Sequence, residues 1–212
     1  MTHVEPDCRI YLVVEAGPAA IEDLSTVLSA ADVACCLIVP ATGERSTART
    51  AKPIVEAAQR AGVAALLAND ADLARTVRAD GVHLEPVQSL PATYAAVRQR
   101  LGRDAIVGAD AGVSRHDAMS LAEAGADYIA FGAPAHLLDR SRARQRRDDL
   151  VTWWGEIFEV ACVALDVETP AEADRLARAG ANFVAVRLVP GEPASSRELV
   201  RQIGAALGAA AD

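Results

Sequence analysis

Eight short apolar runs recur along the 212 residues of this chain, and they constrain its fold more than any other feature. Each run consists mostly of Val, Ile, Leu and Ala and lacks the polar alternation of a half-exposed strand. Such runs are typical of strands that are buried on both faces of a parallel sheet. They lie at residues 10–14, 33–39, 63–67, 81–84, 105–108, 128–131, 160–165 and 183–186.

The segments between the runs indicate helices. They are rich in alanine and carry charges at helical spacing, and several end just before a glycine that can adopt a left-handed cap at low cost. Eight strands in 212 residues leave about 26 residues for each strand–helix unit, which suits a compact (β/α)8 barrel. We therefore expect a single (β/α)8 TIM-barrel domain over residues 1–212.

A doubly wound open sheet is the alternative fold. Such a sheet usually carries the glycine fingerprint G-x-G-x-x-G after its first strand. The first run here is followed by Glu15-Ala16-Gly17-Pro18, which lacks that fingerprint.

The sixth strand–helix unit is irregular. Its polar residues 132–149 are expected to form a loop before a helix at about 150–157. We call residues 140–147 the arginine segment; it contains Arg140, Arg142, Arg144, Arg146 and Arg147. On the active-site face it would act as a phosphate clamp, and otherwise it would be a solvated loop.

The charge balance excludes some partners. The chain has 29 acidic and 21 basic residues, and a net charge of −8 repels nucleic acid. Residues 1–9 lack the apolar core of a signal peptide, and no apolar run approaches the ~20 residues that cross a bilayer. We therefore expect a cytoplasmic protein with no membrane partner and with buried, reduced cysteines. A homo-oligomer is allowed, but nothing in the sequence requires one.

Polar residues follow each apolar run. In a parallel barrel these positions share the carboxyl-end rim, where barrel enzymes keep their active sites. The sequence therefore predicts a site at this rim. The residues concerned are Glu15, 42–45, Asn69, Asp70, Glu85, Asp110, Asp166 and Arg187.

Four segments at matching places resemble the thiamine-phosphate synthase and thiazole tautomerase family. They are Ala68-Asn69-Asp70, Ala79–Leu84 with its DGVHL, Ala124–Gly132 with its GADYI, and Ala179–Val186. The resemblance implies a TIM barrel that joins hydroxymethylpyrimidine diphosphate to a thiazole phosphate and releases diphosphate. It also implies a Mg²⁺-dependent transferase with small phosphorylated substrates.

The resemblance assigns roles to several rim residues. Asp70 matches a metal-binding carboxylate of the family, although a helix N-cap is its ordinary role. Asn69 matches a contact to the pyrimidine substrate. Glu85 is the candidate for the second metal ligand, because Gln88 stands where the family has an aspartate. Arg45 is a candidate substitute for the basic residues that follow the second strand.

Other motif positions differ from the family. Asp110 replaces a serine, and Asp166-Val167 replaces the glycine pair that receives the thiazole phosphate. A carboxylate at Asp166 would repel that phosphate. We therefore expect Arg140, Arg142 and Arg144 to contact any bound phosphate.

Two histidines also require interpretation. His83 is expected to pack or hydrogen-bond inside the barrel. His136 lies three residues beyond Ala133, the position that matches the catalytic histidine of the tautomerases.

Three functions follow from this pattern. The chain could be a synthase with an altered site, or a barrel that binds a phosphorylated metabolite or a partner protein without turnover. It could also be a different enzyme that uses Asp110 and Asp166 as an acid–base pair. Fold alone does not choose among them, because function depends on the site.

Overall fold

The structure is a computed structural model that describes residues 8–132 and 139–210. Strands and helices alternate throughout. The strands are β1 (Arg9–Ala16), β2 (Val33–Pro40), β3 (Ala64–Ala68), β4 (Gly81–Leu84), β5 (Ile106–Asp110), β6 (Tyr128–Phe131), β7 (Ala161–Ala164) and β8 (Phe183–Arg187). The helices are α1 (Ala20–Leu28), α2 (Ala48–Arg60), α3 (Ala71–Val77), α4 (Leu90–Leu101), α5 (Arg115–Glu123), α6 (Arg140–Ile157), α7 (Pro170–Arg178) and α8 (Pro193–Ala210).

The sheet closes on itself. Each strand pairs in parallel with the next, and β8 returns to β1 in a register that runs from Arg9 opposite Phe183 to Val13 opposite Arg187. This closure confirms the expected (β/α)8 barrel with all eight strands and excludes the open sheet. Every strand therefore delivers its carboxyl end to one rim.

Successive strand residues point alternately outward and inward. The outward side chains pack against the helices, as Leu12 and Ile38 do. The inward ones fill the barrel, among them Tyr11, Leu66 and Tyr128. Among the described helices, none combines the length and apolarity needed to cross a membrane.

A glycine in β5 makes room for the inward side chain of Tyr128. A Cβ on Gly108 would lie 2.1 Å from the ring of Tyr128. The strand can therefore carry no larger residue here while Tyr128 occupies the interior. The buried cysteines Cys35, Cys36 and Cys162 are free thiols, as expected.

The arginine segment is helical, so the expectation of a loop through residue 149 is wrong. Helix α6 begins at Arg140, and Asp139 caps it because its Oδ1 accepts the Arg142 N–H at 2.9 Å. Arginine also has a high helix propensity. A cap and good helix formers thus extend α6 well ahead of its apolar part.

Candidate active site

A cavity of about 620 Å³ opens at the carboxyl ends of the strands, and we call it the barrel mouth. Its apolar wall comes from inward side chains of β1, β2 and β8 and from the residue after β7. These are Val13, Leu37, Val39, Ala185 and Leu165. Its polar lining includes His83, Glu85, Asp110, Ser114, Asp166 and Arg187.

Asp110 is the last residue of β5 and is only 8% exposed. Its Oδ1 accepts the backbone N–H of Gly112 at 2.7 Å. Burial raises the pKa of this carboxyl to about 7, and the nearby charges of Asp166 and Glu85 act in the same direction. Asp110 can therefore hold or release a proton near neutral pH.

Asp166 follows β7 and has a left-handed backbone with φ of 58°. A Cβ on Gly132 would lie 3.3 Å from Oδ2 of Asp166 and 3.4 Å from Oδ2 of Asp110. The two carboxylates therefore flank the same small space at the end of β6. The structure brings together the two residues whose types depart from the family pattern.

Glu85 is held at the rim by Asn69, the residue that follows β3. Asn69 Nδ2 donates to Glu85 Oε2 at 2.7 Å, and the Glu85 N–H donates to Asn69 Oδ1 at 2.8 Å. Asn69 takes a positive φ of 58°, which asparagine tolerates well. Asn69 thus fixes the orientation of the Glu85 carboxylate.

Asp70 does not share the barrel mouth. Its Oδ1 accepts the Leu73 N–H at 2.8 Å and caps α3, and the residue lines a separate groove with Asp72 and Arg100. Asp70 therefore acts as an ordinary helix N-cap.

This placement does not fit the magnesium site expected from Asp70 and Glu85. Mg²⁺ requires a near-octahedral set of oxygen ligands. The two carboxylates line different cavities, and within the described ranges no three His, Cys, Asp or Glu residues are placed to hold a metal. Asp70 and Glu85 therefore do not form a shared magnesium site.

The arginine segment contacts the loop after β7. Arg140 Nη2 lies 2.8 Å from Glu168 Oε1, and Arg144 pairs with the other oxygen of the same carboxylate. Arg142 is exposed and its side chain contacts no partner within the described part of the chain. Arg45 is exposed in the loop between β2 and α2.

Arg147 is fully buried and binds main-chain oxygens beside the site. Its Nη1 donates to the carbonyls of Leu165 at 2.9 Å and of Asp166 at 3.1 Å. Its Nη2 donates to Asp148 and to Glu172. Arg147 therefore clamps the backbone that carries the Asp166 side chain.

Arg187 is a residue of the predicted rim to which the sequence assigned no role. It is exposed, ends β8 and lines the barrel mouth. Its place at the end of the eighth apolar run was the available signal, but no motif marked it as a ligand-binding residue.

His83 forms the floor of the barrel mouth. It is 2% exposed, its Nδ1 lies 2.8 Å from the Tyr128 hydroxyl, and that hydroxyl lies 3.0 Å from the Tyr11 hydroxyl. Burial lowers the pKa of His83 to about 4, so the ring is neutral at physiological pH. The expectation that His83 packs and hydrogen-bonds in the barrel is confirmed. Ala133, His136, Leu137 and Leu138 lie outside the described residues.

Comparisons with known proteins agree with this architecture. Residues 10–188 match the family described as Thiamine monophosphate synthase. A thiamine-phosphate synthase of Rhodospirillum centenum is 36% identical over 187 residues, which are 85% of this chain and 87% of that protein. One from Erythrobacter litoralis is 39% identical over 145 residues, or 68% and 67% of the two chains.

A solved structure supports the fold independently. The thiamine phosphate pyrophosphorylase of Pyrococcus furiosus superimposes with a TM-score of 0.75, at 17% identity, over 97% of this chain and 98% of that one. The family match covers the strands that build the barrel mouth. The chain therefore belongs to the thiamine monophosphate synthase family.

Proposed function

We propose that this thiamine-phosphate synthase-like protein binds a small thiamine-related molecule at the barrel mouth. We further propose that it forms thiamine phosphate far more slowly than family members with intact motifs. The observation that carries the proposal is the pair of carboxylates, Asp110 and Asp166, that flanks Gly132. The family pattern has a serine and a glycine at these two positions.

Electrostatic repulsion determines how much phosphate affinity we expect the site to lose. Two like unit charges 4 Å apart repel by about 4 kcal/mol at an effective dielectric constant of about 20. A phosphate bound beside Asp166 would meet repulsion of this order, which corresponds to about a thousandfold in affinity. Arg147 offers little compensation, because its donors are already used by Leu165, Asp166 and Glu172.

The decisive experiment measures thiamine phosphate formation from both substrates with Mg²⁺. We expect the chain to turn over at least about a hundredfold more slowly than a member with intact motifs. The double variant Asp110→Ser, Asp166→Gly should regain at least about tenfold, since it removes both carboxylates. Glu159→Gln, an exposed substitution just before β7, is the matched control and should change nothing.

Two results would contradict the proposal. One is turnover of the natural chain within about tenfold of the intact member. The other is a folded double variant with no gain in rate. A titration of Mg²⁺ in the same assay tests whether the reaction requires the ion.

A second candidate function is proton transfer on a heterocyclic substrate. It is favoured by the pKa of about 7 for Asp110, close to the value that suits a general acid or base at neutral pH. Asp110→Asn should abolish such an activity while the protein remains folded.

Several further proposals concern partners and location. Family members act on phosphorylated pyrimidine and thiazole compounds, and we propose a small phosphorylated molecule here with contacts from Arg140, Arg142 or Arg144. Asn69 and Arg45 are proposed substrate contacts. A cytoplasmic location, a homo-oligomeric state and the lack of a nucleic-acid partner stay predictions.

A further inference from the structure

Helices α5 and α6 carry their charges in an order that a helix dipole disfavours. Residues 115–116 and 140–147, at the starts of the helices, include Arg and His but no Asp or Glu. Residues 118–123 and 150–157, at their ends, include Glu but no basic residue. Three aspartates lie between these segments, namely Asp117, Asp148 and Asp149. The start of a helix favours negative charge and its end favours positive charge. This order therefore does not stabilise the two helices, and it needs another explanation.

One contact shows which sides of α5 and α6 lie together. The guanidinium of Arg115 lies 4.5 Å from the centre of the Trp153 ring, a distance typical of a cation–π interaction. Arg115 also lines a cleft of about 320 Å³ together with Arg146 and Asp149. The Asp149 carboxylate accepts a hydrogen bond from Gln145 at 2.9 Å. The two arginines therefore form one basic end of the surface that α5 and α6 share.

Apolar side chains continue the same sides of the two helices. Residues four apart share a side of a helix, so Met119 follows Arg115 on α5. For the same reason Ile157 follows Trp153 on α6. Met119 is 37% exposed and Ile157 is 61% exposed. In the part of the chain that the structure describes, one other helix exposes a large apolar side chain, at Ile21 of α1. Exposed apolar groups on helices are thus concentrated at α5 and α6.

We call this surface the α5–α6 face. Its acidic end is formed by Glu123 and Glu156, each about one turn beyond the apolar middle. Within the described ranges, all salt bridges involve other side chains than the four charged ones of this face. These charges are therefore available to another molecule. The residues of the face are Arg115, Met119 and Glu123 of α5 and Arg146, Trp153, Glu156 and Ile157 of α6.

A surface with a basic end, an apolar middle and an acidic end is complementary to itself. In a two-fold symmetric dimer the same patch of two copies meets, and each contact occurs twice. When the helices of the two copies run antiparallel, the basic end of each copy meets the acidic end of the other. The two apolar middles then meet at the axis, and Ile157 lies against the aliphatic stems of the arginines. A parallel arrangement would instead bring like charges together, which is repulsive.

We propose that the α5–α6 face binds a second copy of this chain in an antiparallel, two-fold symmetric dimer. The arginines of each copy pair with the glutamates of the other. The face lies on the helical flank of the barrel, so both barrel mouths stay open and the proposal is independent of the proposed function. Stable interfaces contain about 20–30 residues a side. Two helices offer fewer, so we expect a Kd of about 1–100 µM.

The first test is sedimentation velocity of the full chain at about 1–200 µM protein and about 0.15 M salt. We expect reversible association to a dimer. Raising the salt to about 0.5 M should weaken the dimer severalfold, because the contacts at both ends are ionic. Met119→Glu should weaken it at least about tenfold, since it places a charge in the apolar middle.

Charge reversal tests the antiparallel arrangement. The basic-end variant Arg115→Glu, Arg146→Glu and the acidic-end variant Glu123→Arg, Glu156→Arg should each dimerise at least about tenfold more weakly than the natural chain. An equimolar mixture of the two should form a mixed dimer with about the natural affinity, because opposite charges then meet at both ends. A fluorescent label at the N terminus of one variant detects the mixed dimer.

A matched control and a check of folding accompany these variants. Glu22→Arg, Glu56→Arg reverses two charges on α1 and α2, which lie across the closed barrel from α5 and α6, and it should leave the dimer unchanged. Circular dichroism checks that every variant is folded. The single variants Arg146→Glu and Glu156→Arg serve the same comparison when a double variant does not fold.

Three results would overturn the proposal. One is a natural chain that stays monomeric over the whole concentration range, which would leave the face to a different partner. Another is a pair of folded charge-reversal variants that dimerise as tightly as the natural chain. The third is a dimeric natural chain whose two reversal variants form no mixed dimer, because the copies would then meet through another surface.

Discussion

The two halves of the carboxyl-end rim use their polar residues differently. At β3 and β4, the polar groups satisfy one another: Asn69 and Glu85 exchange two hydrogen bonds, and Asp70 caps α3. At β5 and β7, Asp110 and Asp166 face the cavity, and a buried arginine holds the backbone at Asp166. The half that best keeps the family motif is thus structurally self-sufficient. The half that departs from it places two carboxylates beside the cavity.

This contrast shows that a residue that matches a family motif can have a structural role, whereas a residue that differs from it can have a functional one. A residue that matches a family's ligand can be retained because the fold needs it, as the cap at Asp70 shows. A residue that departs from the motif gains functional weight when it is buried and directed into a cavity. In this chain the departures at Asp110 and Asp166 carry more functional information than the match at Asp70.

The largest expected effect is on stability, and it concerns Arg147, which holds the backbone of the loop after β7. Arg147→Met should lower the free energy of unfolding by about 3–5 kcal/mol, because it leaves Glu172 buried without its partner. Urea denaturation measures this change. Arg142→Met, on the same helix but exposed, is the matched control and should change stability by less than about 0.5 kcal/mol. Equal effects of the two substitutions would show that the arginine segment is only surface.

The next effect concerns Asp110 itself. Its pKa in the folded protein is about 7, above the ordinary 3.8, so the folded state binds the proton more tightly than the unfolded state. Stability is therefore fully retained below about pH 4 and falls as the pH rises to about 7. Asp110→Asn removes this loss, so we expect the variant to exceed the natural chain by about 2–4 kcal/mol at pH 8 but not at pH 4.

Unfolding of both proteins across this pH range measures the difference. The groups that face Asp110 are Glu85, Asp166, Tyr128 and His83. They are present in both proteins, so their own titration largely cancels. Parallel stability curves for the two proteins would contradict the raised pKa.

The smallest effect concerns phosphate and the arginine segment. Replacing Arg140, Arg142 and Arg144 together by alanine should weaken binding of diphosphate at least about tenfold, because charge-assisted contacts contribute about 1.5–3 kcal/mol each. Glu168→Gln should strengthen binding severalfold, since it releases Arg140 and Arg144. Calorimetry measures both. If neither variant changes the affinity, Arg140 and Arg144 serve only to bind Glu168.

The barrel could be predicted from the sequence because a buried strand shows itself as a local run of apolar residues. Runs such as 33–39 and 183–186 are each apolar throughout, and their spacing alone indicates closure into eight units. The convergence of Asp110 and Asp166 at one rim followed from the same spacing. The N-cap role of Asp70 was also predictable as the ordinary alternative.

Most features of the site that the sequence did not predict depend on contacts between distant parts of the chain. The start of α6 is the exception, because its signals, the Asp139 cap and the helix-forming arginines, are local and were overlooked. The clamp by Arg147 involves main-chain oxygens, which no side-chain pattern reveals. The reciprocal bonds of Asn69 and Glu85 likewise join two loops that sequence spacing does not align.

The clamp by Arg147 has a consequence for how such barrels diversify. Because its guanidinium binds carbonyl oxygens rather than side chains, the loop after β7 keeps this anchorage with any residue at position 166 that tolerates the left-handed backbone. A lineage could exchange one chemical group for another at this point without first re-evolving the support beneath it. Arg147 thus supports the loop through its backbone, so a side chain with a new reactivity can be introduced at position 166 while the barrel keeps its structure.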